Sequence, residues 1–499
     1  MPSTDDAYRE LLDRAREIHA LTMTKELLEW DQETCMPKKG VELRSREVAA
    51  LAGVIHERET DGRLGELLEQ LTGAELEPGP AANLRDIRRS VDRARKVPAA
   101  LVKQIAEVGS KAMEAWARAR QQSDFEAFAP LLTRMVELKR EQAGCLTTAG
   151  APLYDALLDE FEEGATVTET GSLLAALRDR LVPLAQKIRE SSVTPDEGVV
   201  QGHFPLALQQ RLCREVAAAL GFDFEGGRLD VSAHPFTCGT LGDTRITTRY
   251  DEGDLRPALF ALVHEAGHGM YEQGLHPEHL GTPLGMYCSM GLHESQSRLW
   301  ENAVGRSRAF CQHLFAKANE IFPDGLKGDA EALYRAVNVS RSSLIRVEAD
   351  EVTYNLHIVI RFEIERDLIS GALEVADLPA TWNGKYEALL GITPPDDAQG
   401  CLQDVHWAWG LFGYFPTYTL GNLYAAQFYA RASQDIDDLD GKLAAGETAA
   451  LLQWLREKIH RQGRLLQPAA LVEQVCGTLP SAEPFMEYLE TKYGELYGL

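Results

Sequence analysis

Apolar side chains recur every three or four positions through most of this chain, with charged residues between them. That is the period of an amphipathic helix. It is plain in AYRELLDRAREIHALTMTKELLEW (7–30) and returns near 41–58, 97–121, 126–143, 172–191, 206–220, 292–320, 350–370, 405–430 and 482–497. Short segments rich in Pro and Gly punctuate the run: EPGPAAN (77–83), GITPPDDAQG (391–400) and GYFP (413–416). One β signal stands out at 224–250, where glycine turns surround the alternation TRITTR. A helix is expected directly after it. Asp254 is placed to cap that helix, Pro257 falls in its first turn, where a missing N–H is harmless, and Gly274 marks its stop. The pattern predicts a mostly α protein with one small sheet beside one distinctive helix. It shows no internal repeat, and no flexible linker divides residues 1–499 into separate domains.

Composition adds limits. The chain is 44% hydrophobic and 25% charged, enough for a sizeable core and too apolar for global disorder. Its formal net charge of -25 opposes a phosphate backbone, so nucleic acid is not an expected partner. The eight cysteines are scattered without close pairs, unlike a disulfide framework or a cysteine zinc site. The start, MPSTDDAYRE, lacks a basic segment followed by an apolar one, so no signal peptide is expected. No apolar run approaches the ~18 residues of a membrane span. A soluble, reducing, cytoplasmic setting is the expectation.

The distinctive helix carries the chemistry. LRPALFALVHEAGHGMYEQG (255–274) contains His264-Glu265-Ala266-Gly267-His268. Residues i and i+4 share one helical face, so both imidazoles can reach a single ion. Glu265, next to the first ligand, is placed to take a proton from an attacking water and pass it to a leaving amine. A catalytic zinc needs three protein ligands and one open position. The metalloprotease pattern with a third His six residues after the second fails, because Gly274 stands there. GLHESQSRLWENAVG (291–305) supplies Glu294 on a second helical pattern, with His293 as its rival. Adjacent helical residues diverge by ~100°, so one of the two can face the metal. Glu294 is the chosen ligand, and His293 is read as a supporting or packing residue.

With those residues in hand, a longer series of motifs resembles the carboxypeptidase Taq family of zinc metallocarboxypeptidases. It runs LLEWDQETCMP (27–37), YDALLDEFEEG (154–164), HPFT (234–237), DTRIT (243–247), HEAGH (264–268), HESQ (293–296), IRVEAD (345–350), GCLQDVHW (400–407) and GYFPTYTLGN (413–422). The resemblance implies a homodimer of large helical subunits, each with two lobes around a deep central cleft, similar in fold to neurolysin-type peptidases. The active-site motifs would fall within 230–425. It implies removal of single amino acids from peptides with a free C-terminus, with broad specificity. It also implies zinc on His264, His268 and Glu294, with Glu265 as base; by donor type alone cobalt could occupy the same open site.

Further roles follow from the resemblance. A planar guanidinium can grip a terminal carboxylate through two parallel bonds, and Arg346 is the candidate; the bland alternative is an ion pair with Glu348 or Asp350. His406 and Tyr418 are candidates to donate to a tetrahedral oxyanion, with Tyr414 as the alternative phenol and core packing as the bland reading. His234 can donate near the scissile bond or pack in the turn before Pro235. Asp243 and Arg245 are expected to fix the strand, and Gln403 and Asp404 to line or support the cleft. WDQET (30–34) is read as architectural, part of the cleft's far wall. Two other readings stay open: an endopeptidase or oligopeptidase with the same zinc chemistry, and a non-catalytic helical protein with a structural metal. Glu265 argues against the last, since a structural site has no use for a base.

Overall fold

The computed structural model describes residues 3–322 and 324–499. Met1 and Pro2, the start of the segment read for a leader, lie outside them. The architecture is mostly helical with one three-stranded sheet. It opens on α1 (Thr4–Thr34), where the Ser3 hydroxyl accepts from the amide of Asp6 at 3.1 Å. The first half of α1 packs Ala7 and Leu11 against Leu64, Leu67, Leu68 and Leu71 of a short neighbouring helix and turn, plus Ile87 and Val91, as a small core of its own. The large core runs from Ala112 to Tyr497.

The sheet consists of β1 (Gly227–Val231), β2 (Thr237–Thr240) and β3 (Asp243–Thr248), in the order β1-β3-β2. β1 runs parallel to β3 in the register Gly227↔Thr244 to Val231↔Thr248; β2 runs antiparallel, Thr237↔Ile246 to Thr240↔Asp243. Helix α2 (Arg256–Gly274) follows at once and packs on β3. It also lies against α3 (Met290–Arg298), which in turn packs on α5 (Phe415–Asp435); α4 (Tyr354–Ser370) flanks α5. Two glycines let these helices approach: a Cβ on Gly267 would stand 2.7 Å from Ser297 Cα, and one on Gly421 would stand 2.5 Å from Glu294 Cγ.

Several boundaries differ from the sequence pattern. EPGPAAN is not punctuation alone: the helix Pro78–Lys96 begins inside it, with proline in the first turn, where it is harmless. The stretch 292–320 is not one helix, because a π-helical segment, Leu299–Gly305, interrupts it. The stretch 405–430 begins as turns, and its helix starts at Phe415. Asp254 does accept from the amide of Arg256 at 2.9 Å, but it sits one residue before the cap position, which Leu255 occupies. Gly274 is the last helical residue and the chain leaves it extended; its lack of a side chain makes room for His460, whose ring a Cβ would meet at 2.2 Å.

The WDQET segment docks the end of α1 on the sheet. Trp30 is buried beneath Arg245 and Arg228, whose guanidinium carbons lie 4.2 and 4.8 Å from the ring centre. Arg245 also pairs with Asp243 at 2.8 Å, so both residues fix the strand. No described helix is long and apolar enough to cross a membrane.

Candidate metal centre and active site

Helix α2 turns His264 and His268 to one side, and α3 brings Glu294 to meet them. The three donor atoms lie within 4.8 Å of one another, a group able to hold a metal ion. Glu294 Oε2 stands 3.6 Å from His264 Nε2 and 3.3 Å from His268 Nε2. Each imidazole is held through its other nitrogen. His264 Nδ1 meets Glu301 Oε2 at 2.9 Å; His268 Nδ1 meets His293 Nδ1 at 2.6 Å, and His293 Nε2 meets Glu272 Oε1 at 3.0 Å. Such partners fix which nitrogen faces a metal. Burial would raise the Glu294 carboxyl, but Arg298, 2.7 Å away, and the two imidazoles hold it well below the usual range. Burial, reinforced by His293, pushes His268 down to about 3, so its ring is neutral and free to ligate. This donor set, two imidazoles and an ionised carboxylate with supporting bonds in place, fits a divalent cation of the zinc type.

Glu265 is buried on the cleft side of α2. Thr237 of β2 donates its hydroxyl to Glu265 Oε2 at 2.6 Å. Burial raises this carboxyl above its ordinary value, with Glu294 adding to the effect and His264 and Thr237 opposing it.

His234, Arg346, Gln403, Asp404, His406, Tyr414 and Tyr418 line the same cleft, whose volume is about 1490 Å³, whereas WDQET, Asp243 and Arg245 do not. His234 is exposed in the turn between β1 and β2. His406 Nε2 meets the Tyr418 hydroxyl at 3.3 Å, and the Tyr414 and Tyr418 rings meet edge to face at 5.3 Å. Burial pushes His406 down to about 3 despite the opposing Asp404, while Arg346 and Arg361 reinforce the shift. Burial likewise raises the Tyr418 phenol well above its ordinary value, so it keeps its proton.

Arg346 is 5% exposed, and neither Glu348 nor Asp350 is its ion-pair partner. Asp350 is used by Ser340, Thr353 and the amide of Arg341 at 2.7–3.1 Å. Arg346 instead gives Nη2 to Asp404 at 2.7 Å and Nη1 to the Tyr354 hydroxyl at 2.9 Å. Sequence reasoning also passed over Glu301, Arg298 and Thr237. The signal for Glu301 was a carboxylate in the mostly apolar stretch LWENAVG, two turns beyond Glu294.

Two imidazoles on one helix, a carboxylate on the next and a buried glutamate between them, set in a deep cleft, define a helical metallopeptidase. The model of the carboxypeptidase Taq (M32) metallopeptidases matches residues 10–493. Thermostable carboxypeptidase 1 of Thermus thermophilus is 46% identical over 505 residues, 99% of each chain, and carboxypeptidase 1 of Bacillus subtilis is 39% identical over 98% of this chain and 99% of that protein. The crystal structure of an M32 carboxypeptidase from Deinococcus radiodurans superposes with a TM-score of 0.96 at 40% identity, covering 99% of this chain and 100% of that one. The chain belongs to the carboxypeptidase Taq (M32) family and is a metallocarboxypeptidase, a hydrolase of peptide bonds.

Proposed function

We propose that this enzyme releases amino acids one at a time from the free C-termini of peptides, with broad specificity and with His264, His268 and Glu294 holding zinc. The convergence of that donor set, Glu265 and Arg346 on one cleft carries the reading. A divalent cation on the three donors supplies Lewis acidity for the scissile carbonyl and makes an attacking water more acidic. Glu265, one oxygen occupied by Thr237, takes the proton of that water with the other and returns it to the leaving amine. Arg346 holds the terminal carboxylate of the substrate and so sets where cleavage occurs. Tyr418, protonated, and His406, neutral, donate to the oxyanion; His234 donates to the peptide near the scissile bond.

Zinc suits two imidazoles and a carboxylate, and cobalt can replace it in the same donors; metal analysis of the purified enzyme identifies the resident ion. The same reading makes the enzyme a cytoplasmic homodimer. Eight unpaired cysteines suit a reducing compartment, and sedimentation velocity tests the dimer. The function itself is tested by mass spectrometry of a digest containing an N-acetylated peptide and its C-terminally amidated twin. Stepwise shortening of the free acid alone is expected, whereas internal cuts in both peptides would refute the exopeptidase reading.

A further inference from the structure

Behind Arg346 lies a second guanidinium. Asp404 Oδ1 accepts from Nε and Nη2 of Arg346 at 3.1 and 2.7 Å, and Oδ2 accepts from Nε and Nη2 of Arg361 at 2.7 and 2.5 Å. Gln403 ties the two together: its Oε1 accepts the backbone N–H of Arg346 at 2.9 Å and Nη2 of Arg361 at 2.8 Å. The Gln403 amide is itself fixed by the carbonyls of Leu344 and Gly400, at 3.0 and 3.1 Å. Arg361, on α4, is 0% exposed, donates Nη1 to the carbonyl of His357 at 2.9 Å, and is not among the residues that line the cleft.

A lone Arg346–Asp404 pair would be electrically complete. Burying a third charge beside it costs desolvation free energy that a structural role alone does not recover, since buried ions can often be replaced by apolar groups without loss. Two guanidiniums share one carboxylate, so one unit of positive charge is left over. The other titratable neighbours do not cancel it. His406 Nδ1 lies 3.9 Å from Asp404 and its ring is neutral. Glu365, one turn along α4, makes no ion pair with Arg361; it is engaged by the neutral donors of Tyr154, Trp407 and Gly413 at 2.5–2.9 Å, and burial pushes its carboxyl up to about 7, which favours its uncharged form. On Arg346 itself, three of the five N–H donors are taken by Asp404 and Tyr354, leaving one on each terminal nitrogen.

We propose that Arg361 is a positioning residue for carboxylate recognition: by occupying Oδ2 of Asp404, it prevents Asp404 from neutralising Arg346 and leaves the site net cationic. This rests on Arg346 being the carboxylate clamp. Arg361 touches no substrate; it keeps the charge of Arg346 available and holds the Arg346–Asp404–Gln403 frame in one geometry.

The test is a set of variants in the metal-loaded enzyme, assayed on an N-acylated dipeptide free acid and by product inhibition with a free amino acid against its amide. Arg361→Gln keeps a donor toward Asp404 but removes the charge. It is expected to raise KM and the inhibition constant of the free amino acid roughly ten-fold, with kcat within about three-fold of the parent. Inhibition by the amide should stay unchanged. Adding Asp404→Asn to Arg361→Gln restores the net charge and should bring KM back toward the parent, whereas a merely structural role predicts a further loss. Arg361→Lys, which keeps the charge, should bind the free acid nearly as well as the parent, and it decides the question if Arg361→Gln does not fold. A folded Arg361→Gln with an unchanged KM, a double variant no better than the single, or a lysine variant as weak as the glutamine variant would each overturn the proposal. Arg346→Ala separates the two claims: if it leaves KM for the free acid unchanged, the clamp reading itself fails.

Discussion

Replacing Gly267 with alanine puts one methyl group between the helix that carries both histidines and the helix that carries Glu294. Its carbon would stand 2.7 Å from both Ser297 Cα and the Gln296 carbonyl oxygen. Ordinary contact begins near ~3.5 Å, and both neighbours are backbone, so α2 and α3 must separate by roughly 0.8 Å. Alanine gains about 1 kcal/mol of helix propensity over glycine, while overpacking against immobile backbone costs about 1–3 kcal/mol, taken here toward the upper end. The expected net loss is therefore about 1–2 kcal/mol. The metal centre should suffer more, because ligand distances tolerate only about 0.2 Å and the separation exceeds that; affinity should fall by at least about ten-fold. Urea unfolding of the metal-free protein reads the first effect and competition with a chelator reads the second. Gly384, also helical but with nothing within 4 Å of a Cβ, is the control, and its alanine variant should gain about 0.5–1 kcal/mol. If Gly267→Ala behaved like that control in both assays, the close approach of the two helices would not be what sets the site.

Three further outcomes are expected. Glu265→Gln should keep its metal and lose roughly 10²–10⁴-fold in kcat, and retention of activity would remove the glutamate from the proton-transfer role. Glu301→Gln, which takes the negative charge from behind His264 Nδ1, should weaken metal binding about 10-fold or more without unfolding the enzyme, as read by chelator competition. Burial raises the Glu162 carboxyl from 4.5 to about 7, although Gly291 and Tyr424 donate to it at 2.9 and 3.1 Å. A raised folded value means that this contribution is complete below about pH 4.5 and is lost as pH rises through about 7, so stability to urea should decline across that window. Glu162→Gln should flatten the decline, and an unchanged slope would acquit Glu162.

What could be read from the sequence was local or periodic. The HEAGH pair needs only the helical repeat to place two imidazoles together, and long amphipathic helices such as α1 show their period outright. That Glu294 would join the two histidines was readable because its helix follows closely and bears few rival donors. Contacts between distant segments were not readable by such means. Asp404 partners Arg346 from 58 residues away, so neighbouring acids such as Asp350 looked as eligible until its own hydrogen bonds were seen. Glu301 was missed for the same reason. Its contact with His264 joins two helices across 37 residues of chain, which no hydrophobic pattern announces. Gly274 ends the helix as its pattern predicts, but its second role, admitting His460, was not legible, because a helix stop and a tight contact call for the same small residue.

The π-helical segment Leu299–Gly305 has a consequence for how this protein can vary by insertion and deletion. Such a segment holds one residue more than the α-helix it interrupts. Removing Leu299 or Trp300 would let the backbone relax into the α-helical repeat, and Glu301 would become the sixth rather than the seventh residue after Glu294 while the chain beyond the segment keeps its phase. Glu294 and Glu301 stand on opposite sides of such a cut, so Glu301 would leave its place behind His264 Nδ1. The spacing between the two carboxylates is thus tied to the number of residues from 294 to 301 more strictly than to the identity of most of them. Conservative exchanges at Leu299 or Val304 leave the count intact, whereas a one-residue deletion disconnects a ligand from the carboxylate that steadies its neighbour.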